Sequence, residues 1–502
     1  MELFDNLILG FSVALSIQNL IYCFIGCFVG TAIGVLPGIG PLVTIAMLLP
    51  ITFNLPPVPA LIMLAGIYYG AQYGGSTTSI LVNLPGETAS VVTCLDGYQM
   101  ARQGRAGPAL AISAVGSFIA GCIGTLLIAL FGPPLAEIAL KFGAPEYFAL
   151  MLMALVAAAC LAHGDMIKSL AMVFLGLLLG VIGTDVNSGM ARYSFGLPEL
   201  TDGIGFTVIA VGLFAISEIV RNLETTEKAE VFTKDIKNLY PTIPDLKASG
   251  WPIVRGTAIG SFFGTLPGTG PSISAFSSYM LEKKIAKDPS RFGRGAIEGV
   301  ASPEAANNAA AQTSFIPTLT LGIPGSATMA LMLGALTIQG IAPGPQVMTS
   351  KPDLFWGLVA SMWIGNAMLV ILNLPLVGLW VKLLKVPYRW LFPSIIMFCA
   401  VGNYSINNSS MDVYLCALFG ILGYILVKLE CEPAPLILGF VLGPLMEENL
   451  RRALLISRGD PSVFFTRPIS LAFMIATALI FITMVLPAVR QKKEKAYVEG
   501  GG

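Results

Sequence analysis

From Ala109 to Phe131 the chain runs for 23 residues without a charged side chain. A bilayer core is spanned by roughly 20 such residues, and in hydrocarbon the backbone must satisfy its own hydrogen bonds, which a helix does. Leu471 to Val489 is a second run of this kind. Counting apolar runs gives about ten to twelve membrane segments, several of them too short or too interrupted for a plain span. Charged residues are 12% of the chain and mean hydropathy is +0.78, against roughly 25% charged in ordinary globular chains. The expected fold is an all-α polytopic membrane protein.

Four of the interruptions fall into two pairs. Leu36-Pro37-Gly38-Ile39-Gly40-Pro41 returns as Leu266-Pro267-Gly268-Thr269-Gly270-Pro271, a shift of 230 (267 − 37). Leu84-Pro85-Gly86 returns as Ile323-Pro324-Gly325, a shift of 239 (324 − 85). Proline lacks the amide N–H and glycine gives up backbone entropy, so neither phrase continues a helix. Inside a membrane such a break is tolerated where the freed backbone lines a protein-enclosed space. The pairs predict two homologous repeats built with re-entrant hairpins or broken helices.

The chain divides accordingly into membrane repeat 1 at 1–220, a hydrophilic and cytoplasmic linker at 221–250, repeat 2 at 251–468, and a last helix with a basic tail at 469–502. In the linker, Pro241 and Pro244 predict extended backbone, and Tyr73-Gly-Gly-Ser-Thr-Thr-Ser79 predicts a turn. Lysine and arginine in short loops set orientation. Five of them lie in Glu282–Arg294 and none in its first-half counterpart Asn54–Pro57, whereas Arg102 and Arg105 face a counterpart with only Lys351. Opposite bias at matching loops predicts that the repeats are inverted. The acidic N-terminus lacks the basic region of a signal peptide, so the first apolar segment is expected to be retained.

Several function classes are excluded. Net charge is zero and no basic cluster carries interleaved aromatics, so nucleic acid is not an expected partner. No Walker loop or Gly-x-Ser-x-Gly elbow occurs, and the one histidine, His163, cannot supply a catalytic set or a histidine metal cluster. No enzyme activity and no cofactor are expected. Cys23 and Cys27, one helical turn apart, read as small packing residues.

What remains points to transport. Half-helix N-termini offer N–H groups to an anion, and carbonyls freed by unwinding suit a hard cation. Sodium is therefore expected near Gly38, Gly268, Asn83 and Asn308. Hydroxyls and amides cluster beside the breaks: Ser76, Thr77, Thr78, Ser79 and Asn83 in the first half, Asn307, Asn308, Gln312, Thr313, Ser314, Thr318 and Ser326 in the second. Glu87 and Glu304 could bind a cation or a proton, or could cap helix N-termini. Asp165 and Asp185 read as loop residues, and Glu218, Glu447 and Glu448 as partners of Arg221, Arg451 and Arg452.

Five phrases resemble the large membrane subunit, TctA, of the tripartite tricarboxylate transporters: Gly34–Pro41, Tyr73–Glu87, Glu304–Ala309, Ile316–Ser326 and Leu438–Glu447. The resemblance covers nearly the whole chain. It implies the permease of a multi-pass bacterial inner (cytoplasmic) membrane importer for carboxylates such as citrate. Such a permease works with a small membrane subunit and a periplasmic solute-binding protein, and is driven by an ion gradient, usually sodium. The motif positions carried over as substrate or ion site are Pro37, Gly38, Gly40, Ser76, Thr77, Asn83, Pro85, Gly86, Pro267, Gly268, Gly270, Asn307, Asn308, Pro324, Gly325 and Ser326. The alternative is a passive channel or a structural membrane assembly protein without coupled transport.

Overall fold

A computed structural model describes residues 2–36, 38–162, 165–185, 188–224, 239–266, 270–384 and 388–485. His163, Pro37, Pro267 and Gly268 lie outside the described residues. The protein is an all-α polytopic membrane protein, with one short antiparallel ribbon, Gly183–Thr184 against Ala191–Arg192. Among the described residues, five helical segments are long and apolar enough to cross a membrane: Ile17–Gly34, Ala106–Ala139, Phe206–Glu224, Pro352–Asn373 and Ser410–Lys428. Six apolar helices are shorter, among them Pro41–Thr52 and Ala327–Ile338, which follow two of the Pro-Gly phrases.

The chain folds as two compact units, each drawn from both halves of the sequence: 1–139 with 205–424, and 140–204 with 425–502. The first unit contains the four breaks. Among its helices, in chain order, are α1 (Glu2–Ala14), α2 (Ile17–Gly34), α3 (Pro41–Thr52), α4 (Pro57–Val82), α5 (Ala106–Ala139), α6 (Ile243–Gly264), α7 (Gly270–Ile285), α8 (Glu298–Thr313), α9 (Phe315–Leu321), α10 (Ala327–Ile338) and α11 (Pro352–Asn373).

Two helix pairs form the unit's interior, and each is closed by a glycine ladder. On α2, a Cβ added at Gly26, Gly30 or Gly34 would stand 2.3, 2.4 or 2.3 Å from the carbonyl oxygens of Met63, Ile67 and Ala71 on α4. On α6, a Cβ at Gly256, Gly260 or Gly264 would stand 2.2, 2.2 or 2.4 Å from those of Ser302, Ala306 and Ala310 on α8. Glycines spaced by four share one helix face, and small residues there let backbones touch where lipid supplies no hydrophobic drive. The two ladders match in sequence: the glycines shift by 230 (256 − 26) and the carbonyls facing them by 239 (302 − 63). These are the shifts of the two pairs of Pro-Gly phrases.

Polar side chains gather in the otherwise apolar interior, and large apolar side chains also face outward. Every residue from Gly299 to Thr313 of α8 is buried although it carries glutamate, two asparagines and a glutamine, while Leu126 and Phe131 of the apolar α5 are exposed. Ionisable and amide groups in a bilayer turn toward the protein interior because hydrocarbon cannot solvate them. Cys23 and Cys27 of α2 direct their thiols to the carbonyl oxygens of Ser361 and Gly365 on α11, at 3.8 and 3.7 Å.

Two local expectations are corrected. Tyr73–Ser79 is not a turn but the last buried stretch of α4. The hydroxyls of Ser76, Thr77, Thr78 and Ser79 all lie 2.9–3.2 Å from the carbonyl four residues back, as in a continuous helix, and Gly74 meets α2, so packing overrides the turn propensity. Pro244 does not extend the chain but sits in the first turn of α6, where its missing N–H costs nothing. There Thr242 and Asp245 form a capping box: Asp245 N–H donates to Thr242 Oγ1 at 3.3 Å and Thr242 N–H to Asp245 Oδ2 at 3.1 Å.

In the second unit the helices Met166–Gly180 and Ala434–Ile456 pack as closely, with a Cβ at Gly176 only 2.0 Å from Leu436 O. Asp165 is the N-cap of the first of these, accepting from Ile167 N–H at 3.0 Å. Arg451 pairs with both Glu447 and Asp185, at 2.6 and 3.1 Å, so Asp185 is an ion-pair partner as well as a loop residue.

Candidate functional site

The second pair of breaks has closely matched backbones, whereas the first pair differs at Gly40 (φ −76°) and Gly270 (φ +57°). α2 ends at Gly34, Gly38 has φ +78°, and Gly40 is the extended N-cap of α3, with Pro41 in its first turn. On the other side, α6 ends at Gly264 and Gly270 has φ +57°. α4 ends on the left-handed Asn83 (φ 59°), and α9 on the left-handed Gly322 (φ 71°). Four residues later Glu87 and Ser326 are both extended N-caps, at φ −146° and −156°. A left-handed residue after the last turn is a common way to stop a helix and redirect the chain.

The breaks of each half touch. A Cβ at Gly86 would lie 2.3 Å from Gly75 Cα and 2.8 Å from Gly34 O; at Gly325 it would lie 3.3 Å from Gly264 O and 3.4 Å from Ser314 Cβ. Gly40 faces Glu87 and Gly270 faces Ser326 in the same manner. The two halves also meet at this level. Asn307 Nδ2 donates to Glu87 Oε1 at 2.9 Å, and the hydroxyls of Thr88 and Ser272 are 2.7 Å apart. Tyr68, which matches Asn307 by the 239-residue shift, faces Ser326, the match of Glu87, together with Ser314 and Gln72.

Glu304 lies in the body of α8, so it is not a helix cap; Glu87 caps only the single turn Thr88–Ser90. The Glu304 side chain is 1% exposed and accepts three hydroxyls. Ser76 donates to Oε2 at 2.6 Å, Ser113 to Oε2 at 3.1 Å, and Thr93 to Oε1. The donors come from α4, from α5 and from the one-turn helix Val91–Thr93. No lysine, arginine or histidine pairs with it among the described residues.

Beside these satisfied groups stand buried polar atoms that lack a hydrogen-bond partner among the described residues: the hydroxyls of Tyr68, Tyr69 and Tyr73, both amide atoms of Gln72, Asn307 Oδ1 and Gln312 Oε1. Each such atom costs about 1–3 kcal/mol if it stays unpaired. Tyr68 and Gln72 share one face of α4, one turn apart, within reach of Ser314 and Ser326. This is the pattern of a site whose donors and acceptors are completed by a ligand.

Of the residues expected from sequence, Gly40, Ser76, Gly86, Gly270, Asn307, Gly325 and Ser326 come together here. Asn308 is directed away from the break and donates to Ser117 Oγ at 2.7 Å. Thr77 is spent on the Tyr73 carbonyl. Asn83 is exposed, serving the turn through its backbone, as Pro85 and Pro324 serve theirs; Gly38 packs on the Asn222 side chain. Sequence reasoning missed Tyr68, Gln72, Thr93 and Ser113. The only signal for Ser113 was that it and Ser117, one turn apart, are hydroxyls in an otherwise apolar run.

The chain matches the family described as "Tripartite tricarboxylate transporter TctA family" over residues 20–438. It is 58% identical over 499 residues, 99% of each chain, to the uncharacterized 52.8 kDa protein in the TAR-I ttuC' 3' region of Agrobacterium vitis. It is 60% identical over 240 residues to an uncharacterized protein in the TAR-II ttuC' 3' region of the same organism, 48% of this chain and 99% of that one. No solved structure matches.

Proposed function

The chain belongs to the tripartite tricarboxylate transporter TctA family, and on that premise we propose that it is the permease subunit of a sodium-driven importer of small organic di- or tricarboxylates such as citrate. It acts in the bacterial inner membrane with a small membrane subunit and a periplasmic solute-binding protein. The observation that carries this reading is the convergence of all four helix breaks on one set of buried polar groups. The unpartnered Tyr68 hydroxyl and Gln72 amide, with the Ser326 hydroxyl, supply neutral donors for a carboxylate. A carboxylate held by hydroxyls and amides, without a buried arginine, is not locked in an ion pair and can leave on the other side. The matched ladders and caps support two repeats, and the loop charges support their inversion, the arrangement that lets a midplane site open to either face.

The test is reconstitution of the three-component system in vesicles with labelled citrate outside. An inward sodium gradient should drive accumulation, and collapsing it should stop uptake. Uptake indifferent to sodium, or fluxes of single-channel size, would refute the reading.

A further inference from the structure

The Glu304 cage has no counterpart in the first half. The 239-residue shift that matches Asn307 to Tyr68 places Glu304 on Ala65, a buried residue of α4. The Glu304 carboxylate therefore has no symmetry mate in the site.

Its chemistry is unbalanced in charge and balanced in hydrogen bonds. Three hydroxyl donors use three of roughly four lone-pair positions on the carboxylate. The nearby titratable groups are Glu87, Tyr73 and Cys94, none of which carries positive charge. A buried carboxylate without a counter-charge is costly. Thr93 and Ser113 are also arranged for it. Most helical Ser and Thr hydroxyls here donate to the carbonyl one turn back, as in Thr31, Thr125, Thr257 and Thr318. Those of Thr93 and Ser113 instead make their one hydrogen bond, among the described residues, to Glu304.

We propose that Glu304, Ser76, Thr93 and Ser113 form the binding site of a single sodium ion, the coupling ion of the transport reading on which this proposal rests. The five oxygens are hard donors from four separate segments, the ligand type that alkali and alkaline-earth cations take. Each hydroxyl keeps its hydrogen directed to the carboxylate and offers a lone pair to the ion, so sodium adds the missing charge without breaking a hydrogen bond. A proton would not do this. Placed on Oε1 it turns an acceptor into a donor facing Thr93, whose hydroxyl then loses its acceptor, and placed on Oε2 it makes Ser76 give up the carboxylate and turn its hydrogen to the Gln72 carbonyl. Ser76 also links the ion to the substrate groups, because its hydroxyl lies 3.1 Å from the carbonyl oxygen of Gln72.

The experiment uses the purified full-length chain in detergent, without partner subunits or substrate, and measures equilibrium binding of radiolabelled sodium. Wild type should saturate at one site. Glu304→Gln, which keeps size and shape, should weaken binding by about tenfold or more, and Ser113→Ala, which leaves the carboxylate in place, by a smaller factor. Asp288→Asn, an exposed carboxylate outside the cage, should bind like wild type. A monodisperse elution profile verifies folding of each variant. The proposal is overturned if wild type binds no sodium, or if Glu304→Gln and Ser113→Ala both bind as wild type does. Because no transport is measured, sodium binding that depends on Glu304 together with failed citrate uptake would refute the transport reading and leave this site standing.

Discussion

Gly250 and Gly260 lie on the same helix, α6, and replacing either with alanine makes the same covalent change. A Cβ at Gly250 meets nothing within 4 Å, whereas at Gly260 it lands 2.2 Å from Ala306 O and 2.8 Å from its C and Cα. Alanine gains about 0.8–1 kcal/mol of helix propensity over glycine at either position. At Gly260 it must also force apart two backbones, because favourable contact begins near 3.5 Å and the new atom sits more than about 1 Å inside that. Overpacking of a closed interior costs about 1–3 kcal/mol, and more where the obstacle is backbone. Gly250→Ala should therefore raise thermal stability slightly and Gly260→Ala lower it, with a gap of about 1–3 kcal/mol or more between them, since the propensity gain is common to both. Fluorescence-detected size exclusion after heating reads both signs in one series, and Gly30→Ala on the matching ladder should behave like Gly260→Ala. If Gly260→Ala is as stable as Gly250→Ala, the glycine-ladder account of the interior is wrong.

Tyr68→Phe, which removes one unpartnered hydroxyl, should leave the fold intact or more stable while reducing carboxylate uptake by roughly tenfold, the worth of one hydrogen bond to a charged group; unchanged uptake would take Tyr68 out of the site. Burial opposes ionisation of Asp245, but Thr242 and Arg105 outweigh it and hold the carboxyl below its ordinary range. A lowered folded-state pKa adds stability above the unfolded value of about 3.9 and loses it as pH falls through the folded one. Asp245→Asn should thus cost about 1 kcal/mol at neutral pH, and the cost should vanish at acid pH; a constant difference on acidification would argue against the ion pair.

Much of the fold was legible because its signals are local. Bilayer-length apolar runs announce helices, and Pro-Gly pairs stop them wherever they stand. The 230- and 239-residue shifts, visible as phrases, reappear in the ladders Gly26–Gly30–Gly34 and Gly256–Gly260–Gly264 and in the carbonyls that oppose them. The errors are also local in origin. Tyr73–Ser79 has turn composition, and only contact with α2 makes it helix, since a buried backbone must be hydrogen-bonded within itself.

By itself, the sequence determined that this is a helical membrane protein broken at four paired places, and which family it resembles, because those properties depend on neighbours in the chain. The tertiary structure alone decided which polar residues act together. Thr77 and Asn308 looked as good as Ser76 and Asn307, but helix rotation sends the Thr77 hydroxyl to its own backbone and Asn308 to Ser117. Conversely, Thr93, Ser113 and Ser76 lie 191 to 228 residues from Glu304 along the chain. Only the close approach that the glycine ladders permit makes them one shell around a single charge, because hydrogen bonds act over about 3 Å and carry no sequence signature.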